Sequence, residues 1–465
     1  MKTAIAWLRR DLRLSDNPAL LAAAEAADAV VPVYVWSPED EGDWAPGAAA
    51  RWWLHRSLES LAAALEARGS RLVVRRGPAE AEIRRLVEET GAHAVFWNRL
   101  YDPALVERDA RIKAGLGEAG VEARSFRAGV LFEPWEVETG DGGPYRVFTP
   151  FWKACRALPE PDPPATPPET LPAPARWPQT VPIDDLGLLP RIPWHASLEE
   201  AWTPGEHGAH GRLGAFVRHG LAGYRDERDR PDRNGVSRLS PYLHHGELSP
   251  RQVWHAVSAG RADAPERDVE CYLRELGWRE FAHHVLFHFP HTPDEPMYDK
   301  YADFPWREDH GQMLEAWRRG RTGIPIVDAG MRELWSTGWM HNRVRMVAAS
   351  LLVKNIRAPW QAGARWFWDT LVDADLANNT MGWQWTAGSG ADAAPYFRIF
   401  NPVTQGEKFD PDGAYVKRWV PELRDLPAGR VHRPWESPPA DYPAPVVDLK
   451  SSRAEALAAL QAIGR

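Results

Sequence analysis

Strand-forming patterns stop after the first 130 residues of this 465-residue chain, and that asymmetry limits the folds open to it. Short apolar runs at Ala4–Leu8, Val30–Trp36, Leu72–Val74 and Ala94–Trp97 read as strands buried on both faces, and a fifth strand is expected near Glu122–Phe126. Amphipathic stretches at Pro18–Ala27, Arg51–Arg68 and Ala79–Thr90 separate them. Such alternation predicts a doubly wound, five-stranded parallel sheet whose ligand lies beyond the carboxyl ends of the strands. The glycine fingerprint of dinucleotide binding is missing, so nicotinamide is not expected. Residues 159–193 hold 12 of the 42 prolines, which predicts an extended connector. From about Gly205 to Leu423 helical periodicity takes over, and an alanine-rich helix is expected at Ser452–Ile463. The fold class is therefore α/β plus all-α, with an α/β domain at 1–133, a connector at 134–205 and a helical domain at 206–465.

Composition narrows the function classes. No apolar run approaches the ~20 residues of a membrane span, and the amino terminus lacks a signal peptide's apolar core, so a cytoplasmic protein is expected. Cys155 and Cys271 are the only cysteines, which excludes a disulfide framework and a four-cysteine zinc or iron–sulfur site within the chain. The net charge of −8 does not exclude nucleic acid, because between Gly320 and Trp360 six basic residues face two acidic ones. The 24 tryptophans suggest stacking or electron-transfer work beyond packing.

Four constellations could carry chemistry. Between Asp369 and Asp410, Asp373, Asp375, Asn378 and Asn379 precede Trp383 and Trp385. Buried polar groups need partners, and a flat heteroaromatic ligand would supply them; the same residues are also ordinary cap and turn residues. Downstream of Trp339, Arg345 is placed to pair with Asp373, while Asn342 and Arg343 suit a polar ligand or phosphate, or a solvated helix face. Glu275 and Trp278 share a helix face, which fits either a cavity for a flat substrate or a surface salt-bridge array. Ser237-Arg238-Leu239-Ser240, behind Tyr224, reads as a phosphate site or as simple N-capping. His283, His284, His288 and His291 lack a carboxylate or cysteine to complete a metal set, so no metal is expected.

Five long motifs in order resemble the photolyase/cryptochrome flavoproteins across nearly the whole chain: WLRRDLRLSDNPAL (7–20), SRLSPYLHHGELSPR (237–251), ELGWREF (275–281), GRTGIPIVDAGMRELWSTGWMHNRVRM (320–346) and the Asp369–Asp410 segment. RWWLHRSLESL, FEPWEVETGDGGPYRVFTPFWKAC and DADLANNTMGWQW look like the bacterial class III cyclobutane pyrimidine dimer photolyases near plant cryptochromes. The resemblance implies FAD in the helical domain. Tyr224, Ser237, Arg238, Leu239 and Ser240 would hold its phosphates and ribose; Arg345, Asp373 and Asp375 would address the isoalloxazine, with Asn379 at its central ring and Asn378 standing alongside. Trp383, Trp360 and Trp306 match an electron-relaying chain of indoles. Glu275, Trp278, Arg279, Asn342, Arg343, Met346, Trp385 and Gln405 would meet a flipped-out dimer in ultraviolet-damaged DNA.

The implied activity is light-driven dimer repair by a monomer, with a cryptochrome photoreceptor as the alternative. Plant cryptochromes typically carry a carboxylate, leucine, aspartate and tyrosine where Asn379, Trp278, Asn342 and Trp385 stand; all four are of the repair type. They also carry long tails, whereas this chain ends soon after its last predicted helix. The family further implies an antenna, for which methenyltetrahydrofolate is favoured, with Trp52, Trp53 and Asp102 in plausible places.

Overall fold

The computed structural model describes residues 2–393 and 397–463, so a short part of the Asp369–Asp410 segment lies outside the described residues. Strands β1 (Thr3–Leu8), β2 (Ala29–Trp36), β3 (Val73–Arg76), β4 (Ala94–Asn98) and β5 (Glu122–Phe126) form a parallel sheet ordered β3-β2-β1-β4-β5. Helices α1 (Pro18–Ala26), α2 (Ala48–Glu66), α3 (Ala79–Thr90) and α4 (Pro103–Glu118) connect the strands. The two-residue period of a strand splits β1 between two cores. Ala4, Ala6 and Leu8 face α1 and α2, while Ile5 and Trp7 face α3 and α4. The strand order reverses at β1, and that is where a doubly wound sheet leaves a crevice beyond its carboxyl ends.

The proline-rich segment runs without helix or strand from 159 to 182 and lies along the exposed edge of the sheet. Val181 N–H donates to Val74 O at 3.0 Å, and Val74 N–H to Thr180 Oγ1 at 2.9 Å. An unpaired edge invites aggregation, and this connector covers it. Just before it, α5 (Phe148–Cys155) packs on the helical part.

The helices that matter most for the site are α6 (Tyr224–Glu227), α7 (Glu266–His288), α8 (Pro325–Thr337), α9 (Asn342–Ser350), α10 (Trp360–Thr370), α11 (Leu376–Ala387), α12 (Pro402–Phe409) and α13 (Leu449–Ile463). Helix α11 packs against α7, α9 and α10, and its Met381 touches both large helical cores. It starts where Asp375 Oδ1 accepts from Asn378 N–H at 2.9 Å and stops at Gly388, whose φ of 91° is left-handed. No helix among the described residues is long and apolar enough to cross a membrane.

Two sequence motifs far apart in the chain clamp the halves together. Asp16 accepts from Ser249 Oγ at 2.5 Å and from Arg251 at 2.6 Å, while Arg13 donates to Gly246 O at 2.8 Å. A Cβ at Gly246 would stand 2.0 Å from Arg10 O, so only glycine permits this approach. Glu247 accepts from Trp53 Nε1 at 3.1 Å and from Ser57 Oγ, tying α2 to the helical domain.

Within the histidine run of α7, His284 serves packing. His284 Nδ1 lies 3.1 Å from Pro134 O, and Tyr145 N–H donates to Nε2 at 3.0 Å, so the ring is neutral with its proton on Nδ1. Burial, with His288 adjacent, pushes His284 down to about 4. Above pH ~6.5 the imidazole is neutral both folded and unfolded. Between that pH and about 4 the unfolded chain binds a proton that the fold excludes, so stability falls as pH falls, by roughly 1.4 kcal/mol per pH unit. We expect the urea midpoint to drop from pH 7 to pH 5, and to drop less in His284→Gln; identical slopes in the two proteins would contradict this assignment.

Candidate functional site

On three helices, some of the positions that are not buried share a face at helical spacing: Cys271, Glu275 and Trp278 on α7, Asn342, Arg345 and Met346 on α9, Asn378, Gly382 and Trp385 on α11. With α11 packed against both others, these partly open positions lie on three neighbouring helices. A Cβ at Gly382 would meet nothing within 4 Å. The site that the sequence spreads over more than 100 positions is thus drawn together by three helices.

One set of side chains is polar. Arg345 Nη2 donates to both oxygens of Asp373, at 3.1 and 2.8 Å, and its Nε donates to Met340 O at 2.8 Å. The Asp373 side chain is 2% exposed, so the pair is nearly sealed on the carboxylate side. Asp375 Oδ2 lies 3.6 Å from His283 Nε2 and 3.8 Å from His244 Nδ1. Burial works against its charge, but the neighbouring His283, His244 and Arg279 hold the carboxyl well below the usual carboxylate range. Asn378 Nδ2 donates to Asp375 Oδ1 at 2.6 Å, so that amide is committed to the helix cap. Asn379 Nδ2 donates to Ala364 O at 3.1 Å, which orients the amide and leaves its carbonyl to the partly open side.

Further along, Ser237 Oγ accepts from Tyr272 O–H at 3.0 Å, and exposed Ser240 accepts from Trp339 Nε1 at 3.3 Å. Arg238 has a left-handed φ of 54°, and its guanidinium lies 4.5 Å from the Trp339 ring and 5.0 Å from Trp202, with Nε buried and unpartnered. Tyr224 and Leu239 are buried in the same core. The unpartnered Arg238 Nε beside two serine hydroxyls has the chemistry to meet the phosphates of a flavin nucleotide.

A second set of side chains is aromatic and charged. Trp278 lies parallel to Phe148, with centroids 3.8 Å apart and planes within 9°. Arg398 sits 5.3 Å from the Trp385 ring. Glu275 is gripped by Arg228, and Arg343 pairs with Asp229 at 2.7 Å. Gln405 on α12 has a buried, unpartnered Oε1. Arg279 sits deeper, donating to Gly129 O at 2.7 Å. Trp383 and Trp360 are buried in one core, with Trp306 partly buried against it; Gly363 provides the flat floor for Trp383, since a Cβ there would stand 2.1 Å from the indole.

Sequence reasoning missed Phe148, Arg228, Asp229, His244 and His283, all of which touch site residues distant in the chain. It also missed Trp317, whose ring lies 6.1 Å from Trp383. The antenna expectation needs correcting in its residues. Trp52 and Trp53 pack inward from α2 into a core shared with the helical domain and do not line the cleft beyond the sheet, and Asp102 pairs with Arg10 at 2.6 Å. The cleft beyond the sheet is instead lined by Trp7, Arg9, Arg10, Trp36, Arg108 and His244 among others. His244 therefore borders this cleft on one side and Asp375 on the other.

Comparison with known proteins agrees with this geometry. Residues 4–173 match the DNA photolyase model and residues 272–462 match the FAD binding domain of DNA photolyase. A deoxyribodipyrimidine photo-lyase of Agrobacterium fabrum is 47% identical, the match covering 100% of this chain and 99% of that protein. The chain belongs to the photolyase/cryptochrome family. Among solved structures of that family, the class III photolyase of Agrobacterium tumefaciens superposes with a TM-score of 0.96 at 47% identity, covering 100% of this chain and 98% of that one. Cryptochrome-1 of Arabidopsis thaliana is 40% identical, the match covering 97% of this chain and 69% of that protein.

Proposed function

We propose that this chain is a deoxyribodipyrimidine photo-lyase that repairs cyclobutane pyrimidine dimers in DNA with light. The observation that carries the reading is the pair of partly open indoles, Trp278 on α7 and Trp385 on α11, on helices packed together, with the Arg345–Asp373 pair fixed beside the start of α11. Reduced FAD, when bound and excited by blue light, would lend the electron that opens the cyclobutane ring and regain it once the ring has split, with no net redox change. Arg345, Asp373 and Asp375 would hold the cofactor's polar edge, and Asn379 would meet the central ring. Tyr224, Ser237, Arg238, Leu239 and Ser240 form the cradle for its phosphates and ribose. Trp383, Trp360 and Trp306 relay charge from the surface.

On the DNA side, a damaged pair stacks poorly, so extruding it costs no more than a few kcal/mol. Trp278 and Trp385 receive its faces, and Glu275, Asn342, Arg279 and Met346 surround its rim. Arg343 and Gln405 meet the strand. In this reading residues 1–133 carry the antenna, 134–205 connect, and 206–465 hold flavin and DNA, as a cytoplasmic monomer. Indoles Trp7 and Trp36 with Arg9, Arg10 and Arg108 suit a flat, anionic chromophore such as methenyltetrahydrofolate, and buried Trp7 Nε1 and Arg9 Nε lack partners. That chromophore would add light absorption.

A cryptochrome signalling role is the second reading, supported by the 40% identity to the Arabidopsis protein. One assay separates them. Purified, reduced protein is mixed with an irradiated thymine oligonucleotide in blue light and in darkness. Repair predicts many dimers removed per protein in light and none in darkness; flavin absorbance without any light-dependent dimer loss would favour photoreception.

A further inference from the structure

Just past α6, two successive residues each hold a side chain of the DNA-facing wall. Arg228 grips Glu275 on α7, and Asp229 pairs with Arg343 on α9 at 2.7 Å. The Arg343 guanidinium also lies 4.5 Å from the Phe409 ring, with its Nε buried and unpartnered. We propose that Asp229 stands in for a DNA phosphate, holding Arg343 in its docking position until a backbone phosphate replaces the carboxylate. This inference rests on the proposed reading of the face as a DNA-binding surface.

A carboxylate and a phosphodiester each offer a guanidinium two oxygens, so Arg343 keeps a charge-assisted hydrogen bond through the exchange. Exposure decides whether the exchange is feasible. The Asp229 side chain is 36% exposed, so its carboxylate can be rehydrated when Arg343, 19% exposed, leaves it. Arg345–Asp373 is the contrast: its carboxylate is 2% exposed, and opening that pair would strand a buried charge. One pair is fixed and its neighbour on the same helix is exchangeable.

The exchange has a signature in salt. A phosphate neutralised by a cationic side chain releases counterions, with a slope of about −0.9 in log K against log salt. When Arg343 leaves Asp229, the freed carboxylate recruits a cation and offsets that release. Removing Asp229 therefore should both tighten binding and steepen the salt slope, through Arg343 alone.

Full-length, flavin-loaded wild type, Asp229→Asn, Arg343→Gln, the double variant and Asp229→Glu are titrated with undamaged and dimer-containing duplexes over a range of salt. We expect Asp229→Asn to bind both duplexes roughly 2- to 5-fold tighter, with a slope steeper by up to about 0.9. The change should vanish in the Arg343→Gln background, and Asp229→Glu should behave as wild type. Unchanged or weaker binding by Asp229→Asn overturns the inference, as does equal tightening in the Arg343→Gln background, which would be a general charge effect. If Arg343→Gln itself binds DNA like wild type, the reading of this face fails too; if it binds weakly while Asp229→Asn is neutral, only the exchange fails.

Discussion

Changing Arg345 to methionine is expected to give a protein that purifies with less than about a tenth of the wild-type flavin and unfolds at a clearly lower temperature. The Asp373 carboxylate has its partner in Arg345, and almost none of it reaches solvent. Deleting the cation leaves a buried charge without a counterion, a change that typically costs about 3–5 kcal/mol. Asp373 then protonates or draws in water, and either response alters the wall that addresses the flavin. The double variant Arg345→Met with Asp373→Asn separates fold from cofactor. With both charges gone stability should largely return, because losing both partners is far milder than losing one, yet flavin should stay low. Absorbance at the flavin band per mole of protein and a thermal melt report the two effects independently. Full flavin content in Arg345→Met would mean that this ion pair is structural and the cofactor lies elsewhere.

Local pattern and tertiary partnership are unequally legible in the sequence. The sheet can be read because β1, β2 and β4 are continuous apolar runs of strand length, and β5 stands at Glu122–Phe126 as expected despite its polar composition. The third strand starts one residue later than its apolar run suggests, since Leu72 lies outside the ladder and Arg75 and Arg76 pair with Val35 and Trp36 in spite of their charge. The Arg345–Asp373 pair is legible because two opposite charges flank a polar cluster that has to find partners. Phe148 is not, since nothing in PYRVFTPFW distinguishes a phenylalanine that will lie flat on an indole 130 positions away. Arg228 and Asp229 sit in RDERDRPDR, where alternating charge reads as a solvated surface. Their partners are chosen only when α6 is set against α7 and α9. Trp52 and Trp53 mislead for the opposite reason: two adjacent indoles look like a ligand platform, whereas the inward face of α2 has to be filled by large side chains.

Replacing Trp278 with alanine should weaken binding of a dimer-containing oligonucleotide by about 10- to 100-fold while leaving undamaged DNA within about twofold. The basis is stacking, which contributes roughly 1–3 kcal/mol per base when an aromatic platform is removed. Undamaged duplex keeps its bases stacked inside and meets chiefly charge at the rim, so it should not register the loss. The indole is held firmly in place. Phe148 covers one face at 3.8 Å, the Phe281 ring packs edge-on at 6.0 Å, and the remaining side is partly open. Phe148 in turn lies 5.2 Å from the Arg274 guanidinium, and its N–H donates to Asp392 at 3.3 Å, so the stack is anchored from behind. Removing Trp278 also bares Phe148, and the resulting gap should lower the melting temperature somewhat; Trp278→Phe restores a flat ring and should recover most of the selectivity as well as the stability. What decides the role is the ratio of the two affinities, because a merely structural indole would weaken both duplexes together. If that ratio is unchanged in Trp278→Ala, the damaged bases rest on some other surface, and the partly open positions of α7 and α11 are not where they go.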